Sequence, residues 1–395
     1  MNPRDVELVR EKHAQLDGFL PNLEADAWLV LTREDSDPAV HLLTGGGMVG
    51  EAAFLFTKDG RKTAIVADYD TGPFEHTGVF DVVSYGTGGF MQPLQDLLEK
   101  VAPKTLALNV SQGDPLADGL SVGMLHKLGR LFPIEPFDAR LRPAPSALAD
   151  LRALKTPEEL RRLREAIRIT ETVLDEVGAF MQPGKTEREV AAFVKERHRH
   201  YGVTHSFGDG ANVMVGHVGM GHRPASDAPL TPGDTVVVDM GVFVDGYTSD
   251  IQRSWYVRRE GETAPPPDIQ HRFQTGSDAM MKAIAAMEPG VAGWELDAIA
   301  REHLEANGIP AYTHALGHQI GRAVHDGGTT LAPLNERYGD RGKPAIRAGE
   351  VYTVEPVVHG RTGVDGPPVG HEQDVLVTEE GHEILSHPPE SMPLV

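Results

Sequence analysis

The chain has 395 residues, longer than one average domain, so two domains are the first expectation. Its 37 basic and 58 acidic side chains leave a formal net charge of -21, which repels phosphate backbones and argues against nucleic acid as a partner. Cysteine is absent, which excludes disulfides, thiolate nucleophiles and zinc–thiolate sites together. The N-terminal MNPRDVELVREKHAQ is charged and has no apolar core, so it does not read as a secretory signal. No run of about 18 or more apolar residues offers a membrane span. A soluble, cytoplasmic protein with no membrane contact is the expectation.

Residues 1–145 read as an N-terminal α/β domain. DAWLVL is strand-like, and AAFLFTKDGRKTAIVA reads as a hairpin turned at Asp59-Gly60. PLQDLLEKV is a helical pattern, TLALNV a short strand and VGMLHKLGRLF a second helix. GGGMVG, from Gly45 to Gly50, satisfies G-x-G-x-x-G, but a dinucleotide site needs that motif to open a helix. EAAFLFT follows instead and reads as a strand, so dinucleotide binding is rejected.

A boundary falls in LRPAPSALADLRALKTPEEL, and residues 150–395 form the second expected domain. Thr156, Pro157 and Glu159 supply the N-cap, N1 and N3 residues of a long helix running to about Met181. Thr186 and Glu189 repeat that spacing for a helix ending near Tyr201-Gly202. Strand-rich segments follow from Thr231, then helices at roughly Asp268–Met287 and Trp294–Asn307, then the strand candidates EVYTVEPVV and HEQDVLVTEE. Strands, two helices and strands again make this an α+β domain. HEILSH, from His382 to His387, spaces its histidines five apart rather than four, and it reads as a solvated tail rather than a zinc helix.

The chemistry concentrates in VVVDMGVFVDGYTSDIQRSW. Asp245-Gly246 is a strong two-residue hairpin turn. If Val244 pairs with Tyr247, Gln252 falls opposite Asp239 and Asp250 opposite Gly241, whose missing side chain leaves space beside Asp250. Asp239 and Asp250 then share a face as diagonal neighbours roughly 5–8 Å apart at Cβ. Two converging carboxylates repel unless a proton or cations stand between them. Strand aspartates usually face solvent or cap turns, and a bulge would break the register. More donors follow, however. THALGHQIGRAVHDGG carries His314, His318 and His325 among glycines. Glu355 and Glu372 each lie in or at the head of an apolar strand run, where a lone carboxylate is costly to bury. Four carboxylates and one imidazole suit two divalent ions bridged by water.

In the order, spacing and flanks of LTPGDTVVVDMGVFVDGYTSDIQRS, HALGHQIGRAVHD, AGEVYTVEP and the Glu372 strand, the chain resembles the pita-bread metallopeptidases: prolidase, aminopeptidase P and methionine aminopeptidase. The helix LRALKTPEELRRLREAIRIT is similar to the start of their catalytic domain, and the N-terminal domain resembles that of the prolidase and aminopeptidase P branch. The resemblance implies a C-terminal pita-bread (creatinase/aminopeptidase-like) catalytic domain behind a smaller N-terminal α/β domain. It implies two divalent metal ions (Mn, Co or Zn) held by Asp239, Asp250, His318, Glu355 and Glu372. Glu355 would also handle the proton of the attacking water, and His325 would contact the substrate near the scissile bond.

His314 and His325 are further substrate-binding candidates, with either His217 (counted from GAN at 210–212) or His222 (counted back from Ser226-Asp227). The implied activity is Xaa-Pro dipeptide hydrolysis by a homodimer acting on a small peptide. Aminopeptidase P activity on longer peptides is the alternative, followed by a non-catalytic pita-bread binding module. Two positions depart from the family pattern: Gly370 where prolidases tend to carry an arginine that holds the dipeptide carboxylate, and Gln252 where threonine is usual. Arg361, Arg347 or a residue of the N-terminal domain is the expected substitute anchor.

Overall fold

Alternation along the early strands dictates a sheet buried on both faces. In β1 (Ala27–Arg33) Trp28 and Val30 join one core while Ala27, Leu29 and Leu31 join another. β2 (Glu51–Thr57) divides the same way, Ala52, Phe54 and Phe56 against Ala53 and Leu55. The computed structural model describes residues 2–131, 140–208, 210–216, 223–359 and 368–395, so the expectations for His217, His222 and Arg361 lie outside the described residues. The chain divides into two compact units, Met1–Arg152 and Ala153–Val395.

The first unit is built on a six-stranded mixed sheet. β3 (Lys62–Ala67) pairs antiparallel with β2 as the expected hairpin, with Gly60 at φ +85° in the turn. β4 (Asp81–Tyr85) runs parallel to β3, and β5 (Leu106–Leu108) runs parallel to β1. Helices α1 (Pro3–Phe19) and α2 (Ala39–Thr44) contribute Leu16, Val40 and Leu43 to one core. On the other side α3 (Met91–Val101) and α4 (Val122–Leu131) contribute Leu94, Leu98, Met124 and Leu128. The charged N-terminal segment forms α1. Asn2 caps it, Leu8, Val9, Lys12, His13 and Leu16 form its buried stripe, and Lys12 donates to the Leu151 carbonyl at 2.7 Å. The GGGMVG loop leads into β2 as expected. Its backbone N–H groups are taken by the protein's own carboxylates, Asp35 at Gly47 and Asp70 at Gly50 (2.8 Å).

The second unit opens on α5 (Pro157–Phe180), whose buried residues Leu163, Ile167, Thr170, Leu174 and Val177 recur at helical spacing. Its capping box is complete: Thr156 N–H donates to Glu159 Oε2 at 2.7 Å and Glu159 N–H to Thr156 Oγ1 at 3.4 Å. The same box starts α6 (Glu187–His200). β6 (Asn212–Val215), β7 (Thr235–Met240) and β9 (Ile251–Tyr256) form one antiparallel sheet, and β8 (Val242–Val244) carries the hairpin turn. Asp245 (φ +48°) and Gly246 (φ +81°) have the positive φ values of a type I′ turn. Val244 pairs with Tyr247 and Asp239 with Gln252, as the register expectation requires. The space beside Gly241 is used differently from the expectation. A Cβ there would lie 1.8 Å from the Ser249 carbonyl oxygen, so the missing side chain admits the opposite backbone.

α7 (Pro267–Ala285) and α8 (Gly293–Ala306) pack their Ala279, Ala283, Leu296 and Ala300 against Tyr352, Val354, Val375 and Val377. Those last four come from β10 (Val351–Val354) and β11 (Gln373–Thr378). HEIL is not a solvated tail: residues Gly381–Ile384 form β12, which pairs antiparallel with β11 through a turn at Glu379-Glu380. No described helix is long and apolar enough to cross a membrane.

Removing the first cap tests the helix that opens this unit. Thr156→Ala is expected to lower stability by about 1 kcal/mol, read from the midpoint of urea unfolding at unchanged slope. An unshifted midpoint would show that the capping box contributes nothing.

Candidate metal centre

Strand ends deliver the acidic residues to one place. Asp239 lies near the end of β7, Asp250 just ahead of β9, Glu355 just after β10 and Glu372 just ahead of β11. Carboxylate oxygens of Asp239, Asp250 and Glu372 lie within 4.8 Å of one another. The ladder opens where Asp250 leaves it. The Asp250 N–H donates to Asp374 Oδ2 at 3.4 Å, and the Gly241 carbonyl accepts from Ser206 N–H at 3.0 Å. His318 arrives on an irregular segment that docks on β10: Thr353 N–H donates to the His318 carbonyl at 2.9 Å and Glu355 N–H to the Leu316 carbonyl at 2.7 Å. Gly317 permits that approach, since a Cβ there would fall 1.9 Å from the Thr353 carbonyl oxygen. His318 Nε2 stands 3.2 Å from Glu355 Oε1 and 3.8 Å from Asp250 Oδ2.

Burial and crowding set the charges. Asp239 is pushed up to about 7, first by burial and then by the charge of Glu355. Burial, followed by the neighbouring carboxylates, holds Asp250 and Glu372 well above the usual carboxylate range. For Glu355 burial also acts upward, but the hydrogen bond and charge of His318 outweigh it and leave the carboxyl below its ordinary value. Burial lowers His318 in turn, and its bond to Glu355 more than restores it. Among the described residues Asp250 Oδ1, Glu372 Oε2 and Asp374 Oδ1 are buried acceptors with no hydrogen-bond donor. Crowded, donor-poor carboxylates beside an imidazole fit hard or borderline divalent cations.

Several supporting residues were not anticipated. Asp374, raised to about 8 by burial, holds the Asp250 backbone. Its spacing of two from Glu372 along one strand was the available signal. Asn212 pairs with Asp239 across β6 and β7, and its Nδ2 donates to Asp239 Oδ2 at 3.3 Å. The Arg253 guanidinium is buried and donates to the Glu372 carbonyl at 2.6 Å and the His387 carbonyl at 3.0 Å, tying the Glu372 strand down. Lys155 and Asp326 form a buried ion pair of 2.9 Å immediately after His325.

A cavity of about 420 Å³ opens over the acidic cluster, walled by Phe207, Phe243, Arg322, Val324 and the exposed His325. The His325 ring lies 4.2 Å from that of His318. His314 does not reach the cavity wall: its Nδ1 meets the Ala315 carbonyl at 2.7 Å, and its charge helps hold Glu355 low. Arg347 is bonded to Glu350 at 2.9 Å, also away from the cavity wall. The two departures at positions 252 and 370 prove to be one packing arrangement. A Cβ on Gly370 would lie 1.4 Å from Gln252 Oε1, so the glutamine fills the volume that any larger residue at 370 would need.

Residues 161–379 match the sequence model of metallopeptidase family M24. The uncharacterized peptidase YqhT of Bacillus subtilis (strain 168) is 28% identical over 353 residues, which span 88% of this chain and 91% of that protein. The uncharacterized peptidase SAS1635 of Staphylococcus aureus (strain MSSA476) is 29% identical over 241 residues, 61% of this chain and 64% of that protein. Among solved structures, an Xaa-Pro dipeptidase from Bacillus anthracis superimposes with a TM-score of 0.78 at 23% identity, covering 98% of this chain and 100% of its own. An X-Pro aminopeptidase from Thermotoga maritima MSB8 gives 0.76 at 25% identity, covering 95% and 99%. Nearly the whole chain therefore has the pita-bread M24 architecture with its N-terminal domain.

Two measurements test the centre. A carboxyl whose folded value is raised is disfavoured in its charged form by folding, so stability is lost as pH climbs from the unfolded value toward the folded one. With Asp239 near 7 and Asp374 near 8, metal-free protein is expected to melt progressively lower between pH 5 and pH 8. A divalent ion at a hundredfold excess over its Kd should restore about 2.7 kcal/mol. A metal-free protein that gains stability over that range would contradict the electrostatic account. Separately, Gly370→Arg alone is expected to cost about 1–3 kcal/mol through overpacking, and adding Gln252→Thr should recover most of it. Additive losses in that double-mutant cycle would show that the two positions are not coupled.

Proposed function

The chain belongs to metallopeptidase family M24, and on that premise we propose that it hydrolyses Xaa-Pro peptide bonds, acting as an Xaa-Pro dipeptidase. The observation that carries the proposal is the cluster of Asp239, Asp250 and Glu372 with oxygens within 4.8 Å, set against His318 and Glu355 at the floor of a small cavity. Two divalent ions (Mn, Co or Zn) held by these five residues would supply Lewis acidity and a water of lowered pKa. A cavity of about 420 Å³ is of a size to take a short peptide.

Glu355, kept ionised by His318, is placed to take the proton of the attacking water and return it to the leaving nitrogen. That return matters for proline, whose nitrogen departs as a secondary amine. His325 projects into the cavity beside His318, where a donor to the carbonyl oxygen is worth about 2–4 kcal/mol as negative charge develops. Asn212 and the Asp374 carboxylate hold Asp239 and the Asp250 backbone in position. A second reading, aminopeptidase P action on longer Xaa-Pro peptides, draws support from the likeness to the Thermotoga maritima X-Pro aminopeptidase. The intact acidic cluster argues against a binding module without catalysis.

Metal-depleted protein assayed on Xaa-Pro dipeptides and Xaa-Pro-Yaa tripeptides, with Mn, Co or Zn restored, tests the proposal. Activity is expected only after restoration, with dipeptides preferred. Glu355→Gln should lower kcat by about 100-fold or more. An Asp250→Ala protein that retains the full rate would remove the mechanism, and cleavage of tripeptides alone would move the assignment to the second reading.

A further inference from the structure

Arg322 is the sole lysine or arginine among the described residues that wall the cavity. Acids of the segments around it have other partners. Asp326 is paired with Lys155 at 2.9 Å, Glu158 with Arg161 and Arg162, and Asp245 lies 3.9 Å from Arg161. Glu159 accepts from the Tyr247 hydroxyl at 2.9 Å. Among the described residues no carboxylate forms an ion pair with Arg322.

The side chain is nevertheless held in place. Its guanidinium carbon lies 5.3 Å from the centre of the Tyr247 ring, and that ring is itself steadied by Arg162 at 5.8 Å. A Cβ on Gly246 would come within 3.1 Å of an Arg322 nitrogen, so the guanidinium lies over the tip of the hairpin. The Gly321 carbonyl accepts from Thr248 N–H at 2.9 Å and fixes the backbone that carries it. The result is a preorganised, half-buried cation on the cavity wall, hydrogen-bonded to the Tyr247 side chain and without a carboxylate partner among the described residues.

A chain of net charge -21 does not draw in an anionic substrate by its overall field, so a local cation is needed to receive a substrate carboxylate. A stacked arginine is the side chain best shaped for a carboxylate, which it can bind through two parallel hydrogen bonds. We propose that Arg322 is a specificity-determining residue that binds a carboxylate of the peptide substrate at the cavity wall. This inference rests on the Xaa-Pro reading only for the choice of peptide. The carboxylate is supplied either by the free C-terminus of a dipeptide or by an acidic side chain on the residue ahead of proline.

Two substrate pairs separate those sources. Leu-Pro against Leu-Pro-amide varies the C-terminal carboxylate alone, and Glu-Pro-amide against Gln-Pro-amide varies the side-chain carboxylate alone. The metal-restored wild-type protein is expected to favour the acid member of at least one pair by about tenfold or more in kcat/KM. Arg322→Met, which keeps the apolar stem, should bring that ratio close to one, acting mainly through KM. Arg322→Lys should retain part of it, and serves as the second variant if Arg322→Met does not fold. A wild-type ratio near one in both pairs, or a preference that survives both variants, would overturn the proposal.

Calorimetric titration of the same four compounds with the scissile amide reduced to an uncleavable amine separates the two readings. An Arg322-dependent preference in binding without any hydrolysis of the parent peptides would leave the anchor standing and remove the Xaa-Pro assignment. Hydrolysis with no Arg322-dependent preference in either readout would do the reverse.

Discussion

Like charges brought together away from water are the constraint around which the second unit is organised. Asp239, Asp250, Glu355, Glu372 and Asp374 are drawn into one region, three of them with buried oxygens or crowding that no donor relieves. In an ordinary core such a cluster would be expelled or neutralised. Here the surrounding framework is arranged to tolerate it. The Arg253 guanidinium is spent on carbonyl oxygens behind Glu372 rather than on the cluster's carboxylates, and His318 brings Glu355 below its ordinary value while only partly offsetting the burial of Asp239 and Asp374. The acids therefore divide by environment: Glu355 is held toward its ionised form, the others toward the neutral one.

The backbone features that serve this division are small. The β7–β9 ladder keeps its register from Val244 and Tyr247 down to Asp239 and Gln252, yet gives up its hydrogen bonding at Gly241 and Asp250. Gly317 lets an irregular segment lie against β10 closely enough for His318 to meet Glu355. Gln252 fills the volume that a side chain at Gly370 would need.

Local pattern carried a large part of this. A two-residue turn and period-two arithmetic were enough to bring Asp239 and Asp250 together, because hairpin register is a short-range property. Helix starts at Thr156 and Thr186 were legible for the same reason. What escaped depended on partners far along the chain. The stripe of α1 is obscured by interleaved charges and includes Lys12, whose partner is the Leu151 carbonyl. HEIL pairs with β11 through a turn made of two glutamates, a composition that carries no turn signal. The crowding at Gly370 is visible only once Gln252 is placed across from it. Arg322 could be read as a residue between two histidines, but not as a cation lacking an acid.

The separations along the chain of these supporting bonds have a consequence for how the protein comes into being. Lys155 meets Asp326 across 171 positions, Asp250 meets Asp374 across 124, and Arg253 reaches the Glu372 carbonyl across 119. Loop closure on that scale is an entropic cost met before any reward arrives, and topologies dominated by such contacts fold slowly. The acidic cluster therefore depends on contacts that the early local steps of folding cannot supply. A nascent chain carries its hairpin of two aspartates long before the last strand is synthesised, and until then Glu372 and Asp374 have not joined it.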